Sequence, residues 1–111
     1  VTEITSALIV KALDGLSARA VATAENIANA NSPGFRPLRV TFEDALAAAA
    51  GGGEGSIRAV RPRTAGALTA EPVRIDLELA TASATALRYS ALTELLGRQM
   101  QIESLAITGD R

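Results

Sequence analysis

Apolar residues recur at helical spacing in two stretches of the chain, and the segment between them lacks that pattern. From Glu3 to Asn31, the residues Ile4, Leu8, Ala12, Leu16, Ala20, Ala24 and Ile27 fall at steps of four and three, with Leu13 and Val21 widening the stripe. This predicts a first helix of about 40 Å at ~1.5 Å per residue. Thr2 or Thr5 suits its cap and Glu3 its first turn. The opposite side carries Lys11, Asp14, Arg19 and Glu25. Gly15 weakens the helix by about 1 kcal/mol relative to Ala and fits a close crossing with a neighbouring helix.

A second amphipathic pattern runs from Leu77 to about Thr108, with Asp76 placed as its N-cap and Glu78 in its first turn. Leu79, Ala82, Ala86, Tyr89, Leu92 and Leu96 form one seam. Leu95, Gln99, Ile102 and Ala106 form an overlapping one, broadened by Met100, Leu105 and Ile107. Spacing of three and four over about three heptads predicts a coiled-coil-like helix. Gly97 interrupts it, Gly109 suits its stop, and Glu94 and Arg98 stand four apart as an ordinary surface pair.

The middle, residues 32–76, reads differently. Arg36 to Phe42 predicts an extended edge strand, and Glu43 to Ala50 a short Ala-rich helix. Gly51 to Ser56 reads as a flexible tract. Ile57 to Val73 is either a hairpin, with Ile57-Arg58-Ala59-Val60 against a later strand, or a loop that orders on binding. The fold class expected is therefore mainly α: two long terminal helices packed as a pair around an irregular or short β-containing middle, in one domain. Its parts are a first helix (1–31), a motif turn and middle (32–76) and a second helix (77–108).

Composition narrows what such a fold can do. Ala is the largest single part of the 48% hydrophobic content, and the aromatic residues are Phe35, Phe42 and Tyr89, so large core-filling side chains are scarce. A chain of this size with so thin a core is expected to complete its burial against a partner. A net charge of −1 argues against nucleic acid as a partner. Arg58, Arg61 and Arg63 read as a solvated loop, because no aromatic or phosphate-cradling residue lies among them. No apolar run approaches the ~18 residues of a membrane span. Lys11 is the only base in the first eighteen residues, with Glu3 and Asp14 opposing it, so a secretory signal peptide is not expected.

Catalysis has little to stand on. Histidine is absent, which removes the commonest general base and metal ligand, and cysteine is absent, which removes disulfides and thiolate metal sites. Glu43 and Asp44 are adjacent on a helix and point apart. The glycines at 51–53 lack the Lys-Ser/Thr of a phosphate loop. No enzyme, cofactor or metal site is expected.

One stretch exceeds what a helix stop requires. Asn26, Asn29 and Asn31 crowd six positions, and Ser32-Pro33-Gly34-Phe35 follows at once. Asn and Ser compete with helix, Pro33 cannot continue one, Gly34 can take positive φ, and Ser32 is pushed toward extended geometry. The sequence Ala24-Glu25-Asn26-Ile27-Ala28-Asn29-Ala30-Asn31-Ser32-Pro33-Gly34-Phe35 resembles the signature that ends the first helix in the bacterial flagellar rod, hook and filament-axial proteins. Glu25 is its largest departure. Leu87-Arg88-Tyr89-Ser90-Ala91-Leu92-Thr93-Glu94-Leu95-Leu96 resembles the second helix of the proximal rod members of that family. Ile75-Asp76-Leu77 and Phe42-Glu43-Asp44-Ala45-Leu46 are similar to segments that precede it, in the family's order. The interval from Asp76 to Tyr89 is about two residues shorter than the family pattern, and Thr85 stands where Asn is usual.

The resemblance implies a structural subunit of the flagellar basal-body rod, transmitting torque by helix–helix assembly. Its implied partners are copies of itself, other proximal rod proteins, the protein joining the membrane ring to the rod, and the export gate. Its implied location is the periplasmic rod, reached through the flagellar type III system. The assembly residues it singles out are Asn26, Ile27, Asn29, Asn31, Ser32, Pro33, Gly34 and Phe35 in the turn, and Leu87, Tyr89, Leu92, Leu95 and Leu96 in the second helix. The turn's amides would bond neighbouring chains or fix the reversal into the middle. A soluble helical adaptor or export-chaperone-like module is the alternative, and a cell-wall hydrolase comes third.

Overall fold

A computed structural model describes residues 2–109 of the chain. Its elements are α1 (Thr2–Ala28), β1 (Leu38–Thr41), α2 (Glu43–Ala50), α3 (Glu54–Arg58), β2 (Arg63–Gly66) and α4 (Ile75–Gly109). The two long helices pack against each other. Antiparallel β1 and β2 pair from Leu38 opposite Gly66 to Thr41 opposite Arg63. The molecule is elongated, 64 × 25 × 13 Å, because α4 alone accounts for about 52 Å at 1.5 Å per residue.

The core lies between α1 and the middle segment. Ala7, Leu16 and Ala22 of α1 meet Val40, Phe42, Leu46, Ala49 and Ile57, with Ile4, Leu8, Ala12, Leu38, Val60 and Leu92 packed around them. Ile57 is the innermost side chain, with 0% of its surface exposed. The middle is thus the other half of the core. Gly15 also has a different partner from the one expected. A methyl built on it would overlap the Phe42 ring, so the glycine admits an aromatic side chain, with no helix crossing there.

Several boundaries move. α1 ends at Ala28, three residues before the expected Asn31, because Asn29 and Ser32 take up local hydrogen bonds described below. Thr5 lies inside α1 and does not cap it; the residue before Thr2 is outside the described residues. α2 spans the residues expected of it. The tract at Gly51–Ser56 is partly ordered: Gly53 takes positive φ (88°) and opens α3. Ile57 to Val60 makes no strand, since Ile57 is on α3 and drives it into the core; β2 is Arg63–Gly66 instead. α4 begins at Ile75. The carbonyl of Arg74 accepts from the Glu78 N–H (2.9 Å), which puts Arg74 at the cap and Asp76 inside the first turn. There Asp76 pairs with Arg74 (3.0 Å), and that hydrogen bond holds its carboxyl below the usual range. The helix continues through Gly109, and the stop expected there abuts residues outside the described ones.

The inward faces of both helices differ from the predicted stripes in a regular way. Ala20, Val21 and Ala24 are exposed, while Thr23 and Asn26 are buried. On α4, Glu78 and Thr85 are buried and Thr81, Ala82, Leu92, Leu96, Gln99 and Glu103 are half-buried, at steps of three, four and seven. Leu79, Ala86, Leu95, Ile102 and Ala106 remain outside. Apolar residues lie all round α4, so spacing alone gave it no single inward direction. Polar partners on α1 decided the matter. Ser6 donates to Glu103 (3.3 Å) at one end, and Asn26 donates to Glu78 (3.1 Å) at the other, which fixes the antiparallel register.

Candidate functional site

The signature stretch and the start of α4 meet at one buried junction. Asn26, 1% exposed, sits in the last turn of α1. Its Nδ2 donates to the Leu38 carbonyl (3.0 Å) and to Glu78 Oε2 (3.1 Å), and its Oδ1 accepts from the Leu38 N–H (2.8 Å). Arg39 Nη1 donates to Glu78 Oε1 (2.9 Å) and to the Leu38 carbonyl (2.8 Å). One amide therefore mimics a strand partner for β1 and also holds α4. Only a side chain with both a donor and an acceptor on one carbon can do this. Glu78 is nearly as buried, and its carboxylate is satisfied from both sides, so the cost of removing it from water is met by charge-assisted bonds.

The rest of the signature is arranged outside this junction. Asn29 Nδ2 donates to the Glu25 carbonyl (2.9 Å), Ser32 Oγ to Asn29 Oδ1 (3.0 Å) and the Ser32 N–H to the Asn29 carbonyl (2.9 Å). These bonds turn the chain out of helix, and Gly34 completes the exit at φ 75°. Asn31, Ser32, Pro33 and Gly34 are exposed; Phe35 is half-buried. The amides thus fix the reversal within the chain itself, with Asn26 as the working member and Asn31 left at the surface.

The second group lies farther along α4 and divides. Leu92 and Leu96 face inward, while Leu87 and Leu95 face away and Leu87 is 73% exposed. Tyr89 stands at the edge of an open groove between α1 and α4, about 760 Å³ in volume. Ile27, Ala20, Ala24, Ala82, Ala86 and Ser90 line it, with Glu94 at one end. The groove and the outer face of α4 are both apolar and both open. No helix is long and apolar enough among the described residues to cross a membrane.

Arg19 was assigned to the solvent side, and the structure places it against the middle segment. Its guanidinium makes two bonds to Glu43 (2.6 and 2.9 Å), donates to the Val40 carbonyl (2.7 Å) and lies 5.0 Å from the centre of the Phe42 ring. The Arg19 hydrogen bond holds the Glu43 carboxyl down at about 2, and the same bond raises Arg19. Arg58 bonds Glu54 (2.6 Å) and Arg61 bonds the carbonyls of Arg58 and Val60, while Arg63 is exposed on β2. Glu94 and Arg98, expected to pair, make no ion pair among the described residues.

Glu78, Arg39, Arg19 and Ile57 carry more of the structure than their sequence context suggested. For Glu78 a signal existed: it stands on the inward seam three and four residues from Thr81 and Ala82. In an antiparallel pair that position faces the buried amide of Asn26. Among the described residues no cluster of three Asp or Glu could hold a metal ion. No family model matches the chain, and no curated protein or solved structure shows significant similarity to it.

Proposed function

We propose that the chain is a structural subunit of the bacterial flagellar proximal rod, of the FlgB type, working by helix–helix packing without catalysis. The observation that carries this reading is the condition of α4. Apolar side chains surround it, and within the chain it is covered essentially by α1 alone, leaving Leu77, Leu87, Leu95, Ile102 and Leu105 at the surface. A helix that leaves this many large apolar side chains uncovered belongs against something larger. A tube of such subunits supplies that interior and transmits torque through rigid contacts. The signature then acts as a positioning turn that fixes the middle segment to the helix pair. Copies of this chain, other proximal rod proteins, the ring–rod junction protein and the export gate are its partners. Type III export would deliver it to the periplasm.

Co-fractionation tests this directly. A tagged chain should sediment with isolated basal bodies of the source bacterium, and its deletion should abolish motility. A chain found only in the soluble fraction, in cells that swim without it, rejects the rod reading. The groove between α1 and α4 favours a second reading, an adaptor that accepts one partner helix. That reading predicts a single stoichiometric partner in the soluble fraction.

A further inference from the structure

We infer that α4 opens from the rest of the chain as a unit, hinging at residues 67–74 while α1 and the middle segment stay folded, with the Asn26–Glu78–Arg39 junction as the latch that holds it closed.

The division of apolar burial carries this. The buried cluster is made of Ala7, Leu16 and Ala22 of α1 with Val40, Phe42, Leu46, Ala49 and Ile57 of the middle, and none of its members comes from α4. Among the described residues, Leu92 is the α4 side chain that packs against this cluster, and it is only half-buried. The side chains that α4 buries fully are Glu78 and Thr85, both polar. Thr85 donates to the Thr81 carbonyl of its own helix (2.7 Å), so this bond does nothing to hold α4 to α1. Burial of apolar surface is the main term holding one element to another. The contact between α1 and the middle has much more of it than the contact between α1 and α4, so α4 is the more weakly held element.

The connection to α4 has the form of a hinge. Residues 67–74 join β2 to α4 without helix or strand, and most are exposed, Leu68 at 96%. At ~3.3 Å per residue this stretch reaches up to about 26 Å, enough for α4 to leave α1 without drawing on β2. Backbone bonds pin its two ends: the Ala67 N–H donates to the Pro37 carbonyl (2.9 Å) and the Glu78 N–H to the Arg74 carbonyl (2.9 Å). The turning falls to the residues between.

Opening the latch breaks nothing in the core. When Glu78 leaves, Asn26 keeps both of its bonds to Leu38, and Arg39 keeps the Leu38 carbonyl. The Glu78 carboxylate exchanges the Asn26 amide and the Arg39 guanidinium for water, and Glu103 exchanges the Ser6 hydroxyl for water at the other end. None of these groups is left buried without a partner, so the open state avoids the penalty that usually closes such a junction. A buried carboxylate is satisfied when fully docked or fully solvated and poorly served between, which makes the opening two-state. It is a property of the single chain, whatever that chain assembles with.

Native-state hydrogen exchange of the full chain, read residue by residue by NMR at rising urea below the unfolding transition, tests this. The amides of Thr81 to Leu92 should exchange about ten-fold or more faster than those of Leu16 to Ala22 and of Leu46. They should share one urea dependence, smaller than that of the core amides. Arg39→Ala and Glu103→Ala loosen the two ends of α4 without touching the buried cluster. Each should speed exchange of Thr81 to Leu92 about three-fold or more and leave the core amides unchanged. Equal rates and urea dependence for α4 and core would mean that the chain opens all at once, and overturn the inference. Urea-independent exchange along α4 overturns it too, since that is fraying residue by residue. Variants that leave α4 exchange unchanged, or speed α4 and core alike, remove the junction as a latch.

Discussion

Replacing Asn26 by Ala removes three hydrogen bonds at a position that is almost wholly buried. The Leu38 N–H loses its partner, because β1 uses the Asn26 amide there. The Leu38 carbonyl keeps Arg39, and the Glu78 carboxylate is left with Arg39 alone. An orphaned buried donor costs about 1–3 kcal/mol, and weakening a buried charged acceptor adds a comparable amount, so the expected loss is about 2–5 kcal/mol. Against a total of about 5–15 kcal/mol for an ordinary domain, such a loss is a large share of the stability. Asn26→Asp keeps the acceptor but sets a second carboxylate against Glu78, and should lose at least as much at pH 7. The assay is urea unfolding followed by helical circular dichroism, with Asn31→Ala as the exposed-amide control expected to shift stability by less than about 0.5 kcal/mol. A double cycle with Glu78→Gln should show coupling of about 1 kcal/mol or more. Equal and small effects of N26A and N31A, or no coupling to Glu78, would refute the claim that this amide joins α1, β1 and α4.

Gly15→Ala and Gly97→Ala should act in opposite directions on the isolated chain. The first drives a methyl into the Phe42 ring and should destabilise by about 1–3 kcal/mol despite better helix propensity, whereas the second meets open space and should stabilise by up to about 1 kcal/mol. Thermal melts of the pair decide it, and the same sign for both would be wrong for this packing. Ile57→Ala should cost about 2–5 kcal/mol in the same assay, since Ile57 is fully enclosed in the core. Glu43 is depressed to about 2, so its contribution is fully present above the unfolded value of 4.5 and is lost as pH falls from there toward 2. The pair is half open to solvent, which limits its worth to roughly 1 kcal/mol or less. Glu43→Gln should accordingly flatten the stability-against-pH curve between those values, and an unchanged slope would remove Glu43 as its source.

Much of this architecture was legible in the chain. The two long helices, the strand before Phe42 and the helix from Glu43 to Ala50 follow from spacing, proline and caps, which act over a few residues. The exit at Ser32-Pro33-Gly34 was legible for the same reason: it needs only local hydrogen bonds and one positive φ. Burial was less accessible. Gly15 gave no sign that it faced Phe42, and Ile57, beside a glycine tract, gave none that it would be the centre of the core. Both outcomes depend on contacts across more than 25 positions of the chain.

What the sequence determined by itself was the two long helices, the strand before Phe42, the helix after it and the exposed apolar content of α4, because periodicity and composition are properties of neighbouring residues. What only the tertiary structure decided was which face of each helix turns inward, and what the asparagines do. On a helix apolar all round, hydrophobicity does not choose a direction. The direction was set by Asn26, Glu78, Ser6 and Glu103, since a buried polar group must find its partner wherever the fold brings one.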